Sequence, residues 1–136
     1  MRFEDLRIDS DLVEGGQWRP AAGLPGMEFK VRGADNLDWR RLNGKLIAEL
    51  PREKQLAASL DPEDEDRING VLLAETVLLD WRGFVDENKA AVPYDRERAL
   101  DMLTHPDFRR FRNSVLTTAR IFANETIAER ERSAKN

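Results

Sequence analysis

The chain has 136 residues, of which 40% are apolar and 35% are charged, and its net charge is −4. This length predicts a single domain, and the negative charge argues against general binding to phosphate backbones. The sequence has no cysteine, which excludes disulfides, thiol catalysis and thiolate metal sites. No segment approaches the roughly 20 apolar residues of a membrane span, so we expect no membrane contact.

The first part of the chain predicts a β-hairpin over about residues 16–33, with Trp18 on its first strand. Residues 27–33 alternate between apolar and charged side chains, as a half-buried strand does. The residues predicted to share the apolar face are Met27, Phe29 and Val31. An isolated hairpin is only marginally stable, so this one must pack on helices or on another copy.

Apolar spacing and capping residues predict four helices in the rest of the domain. Asn36 or Asp35 can cap the first helix, Asp61 followed by Pro62 marks the second, and Asp95 can cap the third. The predicted helices span residues 36–50, 61–82, 95–104 and 106–124. The second is apolar over more than one face, which is typical of a helix central to the core.

A short loop or mini-hairpin is predicted between the second and third helices, because residues 84–85 and 91–92 flank a polar turn. The sequence therefore predicts a mainly α fold (α+β) with one domain over residues 1–124. Residues 125–136 alternate charged and small side chains, and we expect them to form a mobile charged tail.

Catalytic, metal and cofactor motifs are not recognisable, so we expect a protein without cofactor or enzymatic activity. The single histidine, His105, precedes Pro106 and is expected to cap a helix or face water, although Asp101 could reach it. The acidic residues near Asp64 fit the start of a helix better than a calcium loop. Glu75, inside an apolar helix, is expected to pair with an arginine.

Large aromatic residues are the remaining candidates for a functional surface. Such residues are either core residues or interface anchors, and about half of them are expected to be core. The candidates for contact with a partner or a second copy are Trp18, Phe29, Trp81, Phe84, Tyr94, Phe108, Phe111 and Phe122.

The order of three segments resembles the tail assembly chaperones of long, non-contractile-tailed phages and prophages. These segments are Asp-Trp-Arg-Gly-Phe-Val at 80–85, Val-Pro-Tyr-Asp at 92–95 and Phe-Arg-Arg-Phe at 108–111. The Gly-Gln-Trp at 16–18 and the Phe-Lys-Val-Arg-Gly at 29–33 are also similar, so the resemblance spans most of the chain. The turn departs from the pattern, with Asn88 and Lys89 where the family often has Asp-Gly.

The resemblance implies a protein of the host bacterial cytoplasm that binds the tape measure protein, associates with itself and recruits tail tube protein. It also implies absence from the mature virion. One alternative is a structural tail or head–tail connector component retained in the virion. Two others are a nucleic-acid-binding regulator using Arg109, Arg110 and Arg112, and a small enzyme using His105 and Asp101.

Overall fold

The computed structural model describes residues 1–135 as helices around a small antiparallel sheet. Its strands are β1 (Gln17–Pro20), β2 (Glu28–Val31) and β3 (Leu78–Arg82). Its α-helices are α1 (Ser10–Gly15), α2 (Leu37–Ala48), α3 (Arg52–Gln55), α4 (Pro62–Thr76), α5 (Arg96–Thr104), α6 (Arg109–Asn124) and α7 (Ile127–Lys135), and 3₁₀ turns span Phe3–Leu6 and Pro106–Phe108. The structure is 58% helical, which confirms the predicted fold class.

The predicted hairpin is present as β1 and β2, and β2 is the central strand of the sheet. Phe29 and Val31 are fully buried on the inner face, as the alternating pattern predicts. Trp18 lies on the outer face, where the Arg82 guanidinium stacks 4.0 Å from its ring centroid. Arg82 also donates to the Glu28 carboxylate at 2.9 and 3.0 Å, so one side chain links all three strands.

The predicted helix over residues 61–82 is wrong in its last six residues, 77–82. Helix α4 ends at Thr76, Val77 leaves helical geometry with φ −123, and residues 78–82 form β3 against β2. A short apolar run suits a buried helix or a strand equally well. Here the free edge of β2 decides, because its backbone groups need a partner.

Capping was predicted correctly at two of the three helix starts, whereas the Asp61 side chain forms no capping hydrogen bond at the start of α4. The Asn36 side chain accepts from the Trp39 N–H at 2.9 Å and donates to the carbonyls of Gly33 and Thr76. The Asp95 carboxylate accepts from the Arg98 N–H at 3.0 Å. Each cap satisfies a backbone donor that the first helical turn leaves free.

The main core lies between the inner face of the sheet and α6. Phe29 meets Phe111 edge to face, with ring centroids 5.7 Å apart. Three more α6 residues, Val115, Ala119 and Phe122, are fully buried against it. Helix α4 closes another side of this core by packing on α5.

A smaller satellite cluster lies between α2 and α4. It is formed around buried Leu50, Ile68 and Leu72, with half-buried Trp39, Leu42, Leu46, Ile47 and Leu60 packed on them. Helix α2 itself has no buried residue, so it contributes only one partly covered face.

Where the sequence predicts a mobile charged tail over residues 125–136, the structure has buried residues at 125–126 and helix α7 over Ile127–Lys135; residue 136 lies outside the described residues. Glu125 and Thr126 are buried, and the Thr126 hydroxyl accepts from the Glu129 N–H at the start of α7. Glu125 forms ion pairs with Arg19 of β1 and, at 3.2 Å, with Arg130 of α7. These contacts fix α7 to the sheet.

No helix within residues 1–135 has both the length and the apolarity needed to cross a bilayer.

Candidate interaction surface

An exposed apolar groove runs between the loop after β3, helix α5 and the start of α6. We call it the aromatic groove, and it consists of two adjoining hollows of about 240 and 250 Å³ that share Phe84, Met102 and Phe108. The other residues of its lining are Leu24, Trp81, Val85, Val92, Arg98, Asp107, Arg110 and Phe111.

The loop after β3 holds Phe84 in place through backbone hydrogen bonds. Val85 and Ala91 form an isolated antiparallel bridge, and the Val92 N–H donates to the Phe84 carbonyl at 2.9 Å. The Trp81 indole N–H donates to the Val92 carbonyl at 2.9 Å, which ties the loop to β3. The predicted mini-hairpin is therefore confirmed.

The turn of this mini-hairpin is organised by Asp86, whose carboxylate accepts from the N–H groups of Asn88 and Ala90. Lys89 has φ +63, a left-handed conformation that favours glycine. The turn thus has a left-handed residue at Lys89, one of the two positions where the sequence departs from the resembled pattern.

Phe108 is positioned by His105 at the other wall of the groove. The His105 Nδ1 accepts from the Asp107 N–H at 3.0 Å, and the two rings lie edge to face at 5.7 Å. This confirms the predicted capping role of His105. The carboxylate that approaches its ring nitrogen is that of Asp107, at 3.9 Å, rather than that of Asp101.

The floor of the groove is an edge-to-face aromatic cluster. Trp81 packs against Phe84 at 5.0 Å and against Tyr94 at 5.1 Å, measured between ring centroids. The Tyr94 hydroxyl donates to the Leu78 carbonyl, and burial raises its pKa above the ordinary value. The aromatic cluster is thus held by ring packing and by the hydrogen bonds of Trp81 and Tyr94.

Arginines supply the charge at the rim. Arg98 and Arg110 are exposed, and neither forms an ion pair within residues 1–135. Their neighbours do: Arg96 pairs with Glu75, as predicted for Glu75, and Arg112 pairs with Asp66 at 3.3 Å. The side chain of Arg112 is only 6% exposed.

The burial of Arg112 removes one of the three arginines that the nucleic-acid-binding alternative would use. Arg109 and Arg110 are exposed at the start of α6, but Arg112 faces inward and is neutralised by Asp66. The three arginines therefore do not form one basic surface.

The predicted aromatic candidates divide between the groove and the core. Trp81, Phe84, Phe108 and Phe111 come together at the groove, where Phe84 and Phe108 supply the exposed ring surface and Trp81 and Phe111 are buried, 3% and 5% exposed. Tyr94 packs behind Trp81. Trp18 lies apart on the outer face of the sheet. Phe29 and Phe122 are fully buried. The prediction that Phe29 and Phe122 contact a partner is therefore wrong, and both are core residues. A ring without exposed surface cannot contact a partner in this fold.

Several groove residues were not predicted from the sequence. Met102 stands four residues after Arg98 on α5, a spacing that places both on one helix face. Val85 and Val92 flank the polar turn symmetrically, which could have identified them as neighbours. Nothing in the sequence connects Leu24 to them. Within residues 1–135 no three His, Asp or Glu side chains are grouped as metal ligands.

Comparison with protein-family models places the chain among the proteins encoded by prophages. Residues 34–136 match the model described as YdaY prophage protein, and the chain belongs to that family. All the groove residues except Leu24 fall inside the matched range. No curated protein and no solved structure matches the chain.

Proposed function

We propose that this prophage protein is a tail assembly chaperone that keeps the tape measure protein soluble and helps to recruit tail tube subunits. It acts in the host bacterial cytoplasm, uses no cofactor, performs no covalent chemistry and is absent from the mature virion. The observation that supports this function most directly is the aromatic groove, an apolar surface left open by the folded chain.

The groove is exposed where an anchor side chain could reach it. Phe108 is 43% exposed and Val85 is 58% exposed, and half-buried Phe84 and Met102 lie between them. A groove lined mainly by apolar and aromatic side chains, with a few polar groups at its edge, is a candidate site for a partner. Aromatic residues in such an area are the usual anchors of binding.

A tape measure protein is the kind of client that this surface suits. It is a long helical chain whose apolar stripes need cover until the tail tube encloses them. A helix can place such a stripe in an apolar groove. Several copies along one client would hold it through avidity, so each contact can remain weak enough for tube subunits to displace it. The proposed self-association would place copies side by side.

Co-expression with the long helical protein of the same prophage tests the proposal. We expect the soluble fraction of that protein to rise several-fold with the wild-type chain and to fall back with Phe108→Ser, which removes an exposed groove anchor. Ile121→Ser is the control, because Ile121 is 56% exposed on α6, the helix that follows Phe108, but lies outside the groove.

Equal solubility of the long protein with and without this chain would overturn the chaperone function. Mass spectrometry of purified particles then separates the main alternative. A tail or connector component would be present in fixed proportion to the tail tube protein, whereas an assembly chaperone would be missing.

A further inference from the structure

We propose that the aromatic groove binds an amphipathic helix whose apolar stripe is flanked by acidic residues. The proposal rests on the proposed function only in taking that helix to belong to the tape measure protein. The shape and charge of the groove carry the argument, and both can be tested without that protein.

The apolar part of the groove suits two side chains on successive helical turns. Its two hollows adjoin and share Phe84, Met102 and Phe108 as the ridge between them. Residues three or four positions apart on a helix project from the same face at neighbouring turns. One anchor of leucine, methionine or phenylalanine size in each hollow would cover the ridge from both sides.

The charged residues at the rim of the groove favour acidic residues on either side of the bound helix's apolar stripe. Arg98 stands on α5 and Arg110 on α6, so the two guanidinium groups come from different walls. Neither forms an ion pair within residues 1–135, although the chain as a whole is acidic. The acidic residue of the lining, Asp107, is outnumbered by the two arginines.

The placement of Arg110 also departs from what helix stability favours. Arg109 and Arg110 occupy the first turn of α6, and that turn has no acidic residue. Positive charge at the positive end of a helix dipole is unfavourable. A residue that breaks a local rule of this kind often serves a function. Here it adds positive potential at the edge of an apolar groove, which an acidic partner would relieve.

A direct test uses two synthetic peptides of about 18 residues, or five helical turns. Both carry the same leucine stripe at three- and four-residue spacing; glutamate flanks the stripe in one and lysine flanks it in the other. Fluorescence anisotropy of the labelled peptides measures binding. We expect the acidic peptide to bind about tenfold more tightly than the basic one, and added salt to reduce the difference.

A second experiment reverses the charge of the two arginines at the rim of the groove. We expect Arg98→Glu combined with Arg110→Glu to weaken binding of the acidic peptide about tenfold and to strengthen binding of the basic peptide. Phe108→Ser should weaken both peptides alike, because it removes shared apolar contact. Arg120→Glu is the matched control, since Arg120 is exposed on α6 but does not line the groove. Thermal unfolding confirms that each variant is folded.

Equal affinity for the two peptides, or binding that Phe108→Ser leaves unchanged, would overturn the inference. A second outcome would also overturn the inference: neither peptide binds, and Phe108→Ser converts a self-associated chain to monomers. The occupant of the groove would then be a second copy of the chain. Preferential binding of an oligonucleotide at Arg98 and Arg110 would overturn it too. The co-expression experiment is independent: failure of the peptides with rescue of the long protein would leave the chaperone function standing.

Discussion

The main core and the satellite cluster use apolar residues in different ways. In the main core the rings of Phe29 on β2 and Phe122 on α6 are completely buried. In the satellite cluster α2 presents Trp39, Leu42 and Leu46 in a half-buried row against α4. The hydrophobic effect scales with the area removed from water, so similar residues stabilise the two regions unequally.

The difference shows where the molecule can tolerate change and where it can offer a surface. The aromatic groove lies at the edge of the main core, where Trp81 and Phe111 are buried on one side and contribute to the groove on the other. Its walls are therefore held by the best-packed part of the protein. A rigid wall loses little conformational freedom on binding.

The largest expected effect is on the free energy of unfolding, when a side chain is shortened to alanine in the main core or in the satellite cluster. Phe29→Ala removes a fully buried ring from the main core and should lower the free energy of unfolding by about 4 kcal/mol. Leu46→Ala removes a half-buried side chain from the satellite cluster and should cost about 1 kcal/mol. Urea unfolding followed by circular dichroism measures both. Similar losses at the two sites would contradict the contrast.

A second pair of changes compares two helical glycines. A methyl group at Gly70 of α4 would overlap the carbonyl oxygen of Leu103 at the end of α5, whereas at Gly44 of α2 it would meet open space. We expect Gly70→Ala to destabilise the protein by about 2 kcal/mol and Gly44→Ala to stabilise it by roughly 0.5 to 1 kcal/mol. The change in Tm on thermal unfolding shows whether each substitution stabilises or destabilises the protein. Stabilisation by Gly70→Ala would show that α5 moves freely away from α4.

The smallest expected effect is on the way in which thermal stability falls as the pH is lowered. Hydrogen bonds from Arg82 hold the pKa of Glu28 below its ordinary value, and hydrogen bonds from Lys54 do the same for Asp64 beside the satellite cluster. The unfolded chain therefore takes up protons first as the pH falls, and the stability from both pairs, present near neutral pH, is lost below about pH 4. Tm measured across this range should fall less steeply for Glu28→Gln and Asp64→Asn.

The control for the acid experiment is Glu87→Gln, because Glu87 is exposed in the mini-hairpin turn and forms no ion pair within residues 1–135. We expect the pH dependence of its Tm to match that of the wild type. An unchanged slope in Glu28→Gln and Asp64→Asn would show that these pairs contribute nothing measurable, as many exposed ion pairs do.

Local features were predictable from the sequence because their causes are local. The caps at Asn36 and Asp95 depend on hydrogen bonds that reach three residues along the chain. The face shared by Phe29 and Val31 follows from the two-residue period of a strand. The mini-hairpin follows from apolar pairs on either side of a polar turn.

Features that depend on distant partners were not predictable. Strand β3 exists because β2 offers an unpaired edge, and α7 is fixed because Glu125 meets Arg19 across a sequence separation of 106 residues. The groove likewise joins segments that are far apart in the chain, and the sequence offered no means of sorting exposed Phe108 and half-buried Phe84 from the buried rings of Phe29, Phe111 and Phe122. A pattern that looks the same in both settings cannot reveal which ring the fold leaves exposed.

The sequence by itself determined the mainly helical class, the N-terminal hairpin, the capped helix starts and the capping role of His105. Each follows from side-chain period or from hydrogen bonds between near neighbours. Only the tertiary structure decided that residues 78–82 form a strand, that α7 docks, and that Phe84, Met102 and Phe108 meet beside two arginines that form no ion pair within residues 1–135. Those outcomes depend on how backbone edges, charges and apolar faces find partners far along the chain, and that competition is settled only when the whole domain packs.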